Sequence, residues 1–396
     1  MKKTKIKLII FPGFFLPHIG GVETHVDEFC KYLSKKNDYE ITIFAPNIPN
    51  SKEKEIIHNR VKVLRYPAFE LVSNWPVPKF WTVKFWKMYS KLYKEDFDIT
   101  MTRTRFFTNS FLGLFFSKFR FKQTKLIHVE HGSEFVKLES KFKSFLAYTY
   151  DMIFGRLIFL MSDKTIAISK TVQDFIYQNF LNEKKHEVQI IKRGVDFEIY
   201  KKTKVDLNLK KKFKDKIIMG FVGRLYKWKG VENSIDAYKR LDEKLQKKSV
   251  LVIIGNGEDI ELLKSRAEIF LDNGIYFMGE KSFDLAISSL KSIDIYVHSA
   301  YRGGGLSNSL LQAMECGCAI IASPNEGANE IIFDKKTGIL LKNNSQKEIK
   351  DAMEILLEDS TLRKKYSTNA KKYVRANFSW EKVIKKYDKL SQEVLK

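Results

Sequence analysis

Apolar residues gather in short runs separated by segments of helical spacing, and this alternation is the first thing the chain shows. Residues 6–11, 40–45, 61–66, 97–101 and 125–129 are short, apolar and rich in β-branched or aromatic side chains, so they read as strands. Residues 22–34 place Val22, Val26, Phe29, Cys30 and Leu33 on one helical face. A further strand at 165–168 leads through Ser169 into a helix at 170–179. Apolar strands alternating with helices predict a doubly wound α/β sheet. The pattern pauses after residues 189–191, and the polar, lysine-rich stretch 196–216 reads as a linker. It then starts over, with strands at 217–222, 249–254, 275–278 and 293–297 and helices at 231–241, 259–272 and 283–291. A final amphipathic helix, 380–395, is expected to cross back onto the first half. The predicted organisation is two doubly wound α/β domains with a parallel sheet each: 1–195 joined by 380–396, and 196–379.

Two stretches of the second half carry candidate chemistry. After the strand at 293–297, the glycines Gly303, Gly304 and Gly305 turn the chain, a helix begins near Leu306, and Gly317 stops it before another strand at 319–322. Strand, glycine turn, helix, strand is the grammar of a parallel sheet. The start of such a helix lies at the carboxyl end of a strand, where amides and the helix dipole favour a phosphate. An ordinary βαβ turn has the same form. Gly223-Arg-Leu-Tyr-Lys-Trp-Lys-Gly230 likewise follows a strand and offers Arg224 and Lys229 from a loop at the same sheet edge. A guanidinium can grip two phosphate oxygens and an ammonium adds a mobile charge, which together would steady a departing diphosphate. Taken singly, the two residues read as solvated surface rather than as a site.

Charge narrows the class of partner. The 396 residues carry 70 Lys and Arg against 47 Asp and Glu, a formal net charge of +23, which asks for an anionic partner. Residues 79–94 and 105–122 interleave aromatic and basic side chains at roughly helical spacing, a pattern that suits helices lying in an anionic membrane surface as well as ordinary packing helices. No nucleic-acid-binding module accompanies the charge, so nucleic acid is not expected. Three cysteines, Cys30, Cys316 and Cys318, are too few and too badly spaced for a disulfide framework or a zinc site, and no DxD pair stands at a strand end. The sequence therefore predicts a reduced interior, no metal in an obligatory role and no obligatory cofactor. The apolar run 152–161 is short and broken by Arg156, so a soluble cytoplasmic protein is expected, held peripherally at the inner face of the membrane.

Read in order, four stretches resemble the retaining glycosyltransferases of family four. They are Gly20-Gly21-Val-Glu23, Glu130-His131-Gly132, Gly223-Arg224 with Lys229, and 304–317, with Phe378-Ser-Trp380 before the terminal helix. The resemblance spans nearly the whole chain and implies the GT-B fold, with two facing Rossmann-like domains. It also implies a nucleotide-sugar donor, a UDP- or GDP-sugar, in the second domain and the acceptor mainly in the first. By residue match Arg224 and Lys229 would hold the donor diphosphate. Amides of Gly305, Leu306, Ser307 and Asn308 would take the outer phosphate, and Gly20 and Gly21 would let backbone approach it. His131 would stand beside the donor sugar. Arg103 and Arg105, ending a first-domain strand, would face an anionic acceptor; surface roles are equally open for them. The family chemistry is front-face displacement with retention and needs no side-chain nucleophile.

The sequence departs from the family at three positions, one of them Arg193, where the family usually has an asparagine before Gly194-Val-Asp196. Where the family carries paired glutamates, this chain has Gly304 and Gln312. Gln312 keeps an acceptor oxygen for a ribose hydroxyl, whereas Gly304 offers no side chain. An altered donor sugar, a backbone or water substitute, and lost catalysis are all consistent with this. The expected function is thus transfer of a sugar from a nucleotide diphosphate to a glycan or lipid-linked acceptor in cell-surface polysaccharide or glycolipid synthesis. The alternative is a catalytically impaired GT-B subunit that binds a glycan or partners an active transferase.

Overall fold

The computed structural model describes residues 5–72, 75–136, 140–302, 305–325 and 327–396. Contacts divide the chain into two compact units, Met1–Gly194 with Trp380–Lys396, and Val195–Ser379.

The first unit contains strands β1 (Ile6–Phe11), β2 (Tyr39–Pro46), β3 (Lys54–Ile57), β4 (Val61–Tyr66), β5 (Ala68–Val72), β6 (Trp75–Pro78), β7 (Ile99–Arg103), β8 (Lys125–Glu130), β9 (Lys164–Ala167) and β10 (Val188–Ile190). Its helices are α1 (Gly21–Leu33), α2 (Val83–Lys94), α3 (Thr108–Lys118), α4 (Lys141–Tyr150), α5 (Arg156–Met161) and α6 (Lys170–Asn179). Eight strands form one sheet in the order β10-β9-β8-β7-β1-β2-β4-β3, parallel except where β3 runs against β4. Successive residues of β1 serve opposite faces. Leu8 and Ile10 meet α1, α6 and the terminal helix Trp380–Val394, while Ile9 and Phe11 meet α2 and α3. Burial on both faces explains why these strands read as continuous apolar runs. The strand order reverses between β1 and β7, so the loops after these strands flank a switch point.

The second unit holds β11 (Ile217–Val222), β12 (Ser249–Ile254), β13 (Ile275–Phe277), β14 (Ile295–His298), β15 (Ala319–Ala322) and β16 (Ile339–Leu340). All pair in parallel, in the order β13-β12-β11-β14-β15-β16. This is the dinucleotide-binding order 3-2-1-4-5-6, with its switch point between β11 and β14.

Three expectations change. The stretch 196–216 is not a linker but two short helices, Phe197–Lys202 and Leu207–Lys212, whose starts are capped by Asp196 and Asp206. Their lysines face outward, while Tyr200, Leu209 and Phe213 are buried in the second unit's core. Second, β5 and β6 form a separate hairpin that three prolines, Pro67, Pro76 and Pro78, concealed from a strand reading. Third, the apolar run judged too short at 152–161 belongs to one helical stretch, Lys141–Met161, in which a π turn at Asp151–Gly155 joins α4 to α5. By length and composition alone this stretch is long and apolar enough to cross a membrane. Arg156, the charge that interrupts the run in the sequence, lies exposed on the helix surface.

The chain passes between units at 194/195 and 379/380, and Val195 N donates to the Phe378 carbonyl at 2.7 Å beside those points. On the first unit's side one carboxylate oxygen, Glu28 Oε2, accepts from both Arg193 Nη2 and Trp380 Nε1 at 3.0 Å. Trp380 is fully buried, and a side chain at Gly194 would overlap its ring.

Candidate active site

In the second unit the loop after β11 and the loop after β14 lie side by side at the switch point. Gly230 adopts φ 65°, and a Cβ there would stand 2.1 Å from the Ser299 carbonyl oxygen. Only glycine allows so close a backbone approach. The Ser299 hydroxyl donates to the Lys229 carbonyl at 3.2 Å, Tyr301 N donates to the Trp228 carbonyl at 3.1 Å, and Ser234 Oγ donates to Ser299 Oγ at 2.9 Å. The basic loop is therefore fixed by its backbone against the segment that enters the glycine turn. The Lys229 ammonium lies over the Trp228 ring, 4.1 Å from its centroid, and the exposed Arg224 guanidinium reaches the Tyr226 hydroxyl at 3.5 Å.

Gly305 lies against Gly327, where φ is 68° and an added Cβ would come within 2.5 Å of the Gly305 carbonyl oxygen. Leu306 and Ser307 are buried, and the helix Asn308–Cys316 follows without a side-chain cap from Ser307. It carries Gln312, half-buried, and ends at Gly317 in the left-handed conformation, where glycine is favoured. Gly304 lies outside the described residues. Arg224, Lys229, Gly305, Leu306, Ser307, Asn308 and Gln312 are thus brought to one end of one sheet. Among the described residues no cluster of three or more His, Cys, Asp or Glu is arranged to hold a metal ion.

In the first unit Gly20 is the cap residue before α1, and its carbonyl accepts from Thr24 N at 3.1 Å and Thr24 Oγ1 at 2.9 Å. A side chain at Gly20 would overlap the Glu23 carboxylate, which pairs with His18 at 3.1 Å. Gly21 is the first residue of the helix.

The loop after β8 is built on a buried carboxylate. Glu130 accepts from His131 N at 2.9 Å, Gly132 N at 2.7 Å and Arg105 N at 3.0 Å, and its other neighbours are His128 Nε2 at 3.2 Å and Arg105 Nη1 at 3.3 Å. Burial opposes its charge, but Arg105 and the bond to His128 outweigh burial and hold the carboxyl well below the usual range. Glu130 therefore fixes the turn that presents His131. The His131 ring meets His25 edge-on at 5.0 Å, and His25 in turn lies 5.3 Å from Trp380.

The two arginines meant for an acceptor are not at a surface. Arg105 is buried and neutralised from within, by Glu130 and by Asp151 at 2.9 Å. Arg103 is fully buried; it donates to His25 Nδ1 at 3.2 Å and lies over Phe29 at 4.8 Å. Among the described residues no carboxylate pairs with Arg103, and burial lowers its pKa. The expectation of a strand-end arginine facing outward fails because both side chains fold back under the loop. Nothing in the sequence near His25, Glu28 and Asp151 ties them to this network. Single polar residues inside helical patterns gave no signal, and only the spacing of Glu130 before His131 offered one.

These burials set a pH dependence. His25 is pushed well below its ordinary value by burial and then by Arg103, His128 is lowered by burial, and His131 is lowered to about 3 by burial and Arg103. The unfolded chain takes up protons at these histidines below about pH 6.5 while the folded chain does not, so stability falls as pH drops from there. Asp151 acts oppositely. Burial raises it to about 6, so between that pH and its ordinary range the folded form holds the extra proton and partly offsets the loss. The net expectation is a loss of stability between pH 7 and pH 5, since three histidines act against one aspartate. Urea unfolding followed by tryptophan fluorescence checks this, and a flat profile would contradict it.

Two Rossmann-like α/β units, with a basic loop and a glycine turn at one switch point, define a glycosyltransferase of the GT-B architecture. The chain belongs to the group 1, family 4 glycosyltransferases. Residues 19–199 match the Glycosyltransferase Family 4 model and residues 205–373 match Glycosyl transferases group 1. It is 56% identical over 391 residues to an uncharacterized glycosyltransferase of Methanocaldococcus jannaschii, covering 99% of both chains. Over 225 residues it is 32% identical to N-acetylgalactosamine-N,N'-diacetylbacillosaminyl-diphospho-undecaprenol 4-alpha-N-acetylgalactosaminyltransferase of Campylobacter jejuni, covering 56% of this chain and 58% of that one. Among solved structures it is similar to the Anabaena protein HepE in complex with UDP-glucose, with TM-score 0.72 and 17% identity, over 98% of this chain and 100% of that one.

Proposed function

We propose that the protein transfers a sugar, with retention, from a UDP- or GDP-sugar to a glycan or lipid-linked acceptor in cell-surface polysaccharide or glycolipid synthesis. It would work in the cytoplasm at the inner face of the membrane. The observation that carries this reading is the fixing of the Arg224–Lys229 loop against the strand that leads into the Gly305–Asn308 turn. Arg224 and Lys229 supply cationic charge for the diphosphate, the amides from Gly305 to Asn308 receive its outer phosphate, and Gln312 meets the ribose. His131, kept neutral by burial, offers an uncharged imidazole beside the donor sugar, while Gly20 and Gly21 leave room at the start of α1. The leaving phosphate oxygen takes the acceptor's proton, so no carboxylate nucleophile, metal or cofactor is required. The HepE complex with UDP-glucose supports the donor class, and the diphospho-undecaprenol acceptor in the Campylobacter enzyme's name supports the acceptor class.

The test is to incubate the purified protein with UDP- and GDP-sugars and a membrane extract, and to follow release of nucleoside diphosphate and the anomeric configuration of the product. Release with one donor and an unchanged anomer is the expected result. Failure of calorimetry to detect any nucleoside diphosphate or sugar nucleotide would overturn the reading.

A further inference from the structure

Among the described residues of the first unit, the exposed large apolar side chains gather mainly on one face of the sheet, with Ile19, Ile56, Leu71 and Leu395 standing apart. The β1 residues Ile9 and Phe11 pack with α2 and α3, and Leu126 of β8, in register through Thr100 with Ile9, packs with Leu114 of α3 and Ile158 of α5. Helices α2, α3 and α4–α5 therefore form a single layer on one face of the sheet. This layer exposes Trp81, Val83 and Trp86 at α2, Phe115, Phe119 and Phe121 at α3, and a longer row along α4–α5. That row contains Phe142, Phe145, Leu146, Ile153, Leu157 and Leu160, spaced to fall along one side of a helix. On the opposite face α1, α6 and Trp380–Val394 expose no large apolar side chain within their spans.

The charges within these helices have one sign, although Lys84 and Lys118 pair with Glu53 and Asp163 of adjoining segments. Within α2, α3 and Lys141–Met161 the exposed or partly exposed charges are lysines and Arg156, and the one carboxylate, Asp151, is buried against Arg105. A second copy of the chain seated on this layer would bring like charges together. An anionic lipid surface satisfies both the apolar row and the cations. Although long enough to span a bilayer, Lys141–Met161 is held flat: Ile158 packs on the sheet and Asp151 is ion-paired beneath it.

We propose that this layer docks on an anionic lipid bilayer, with Lys141–Met161 lying in the plane of the interface as its main anchor. The proposal locates the contact that a lipid-linked acceptor requires, and in that respect rests on the function proposed above. Vesicle flotation of the full chain tests it without donor or acceptor. The protein should float with phosphatidylcholine vesicles containing about a third phosphatidylglycerol and far less with phosphatidylcholine alone. The triple variant Phe142→Ser, Phe145→Ser, Leu157→Ser should lose about tenfold or more in partitioning. Exposed apolar residues of the second unit serve as the control, and Leu262→Ser with Ile269→Ser should leave flotation unchanged. A triple variant that floats like the parent would overturn the proposal. So would a parent that sediments as a dimer and a triple variant that sediments as a monomer, since a second copy would then own the layer. Loss of sugar transfer in the earlier assay with normal flotation would fault the catalytic reading and leave this one standing.

Discussion

Replacing Arg105 by methionine is expected to destabilise the first unit by about 3–5 kcal/mol, the largest stability effect of any single substitution in the network around β8. The guanidinium sits between two buried carboxylates, at 3.3 Å from Glu130 and 2.9 Å from Asp151, and Arg105 Nη2 also donates to the Glu134 carbonyl at 3.0 Å. Methionine fills similar volume but strands both acids. Asp151, already raised to about 6 by burial, would take up a proton, whereas Glu130 holds three backbone amides in its charged form and has nowhere to turn. Urea midpoints for the parent and for Arg105→Met measure the loss. The double variant Arg105→Met, Asp151→Leu should recover part of it, because a buried pair removed together costs less than one member removed alone. If Arg105→Met unfolds at the parent's midpoint, the network does not bear on stability.

The second large effect is functional. Arg224→Ala combined with Lys229→Ala is expected to lower kcat/KM by roughly two to three orders of magnitude once a donor is found, with the fold retained. Arg224 is exposed and Lys229 half-buried, so neither supports a core. Their contribution lies in charge set beside the Gly305–Asn308 turn by a backbone that the substitutions leave in place. Binding separates this role from a general one. Affinity for a nucleoside diphosphate should fall steeply, and affinity for the phosphate-free nucleoside should barely change. Equal losses for both ligands would show that the pair serves the base or the loop rather than the diphosphate.

What could be read from the chain follows physical range. Strands such as β1 and β11 are buried on both faces, so their apolar runs and the glycines after them stood out locally. The Gly223–Gly230 loop and the turn after β14 were legible because backbone geometry writes itself in glycine: Gly230 must admit the Ser299 carbonyl, and no other residue can. Side-chain direction was not legible. Arg103 and Arg105 look like strand-end cations in the sequence, but both turn inward, because Glu130, Asp151 and His25 reach them from segments 25 to 78 residues away in the chain. Lysine-rich composition also masked structure. It hid the capped helices at 197–212 and, with Arg156, disguised the continuity of Lys141–Met161.

The shared carboxylate at Glu28 has a wider consequence. Both passages of the chain out of the first unit are tied to one oxygen, through Arg193 on the outward path and Trp380 on the return. That oxygen belongs to the middle of α1, the helix that follows Gly20. Outgoing and returning segments therefore share a mooring on one helix, and loss of that carboxylate would loosen both lines together.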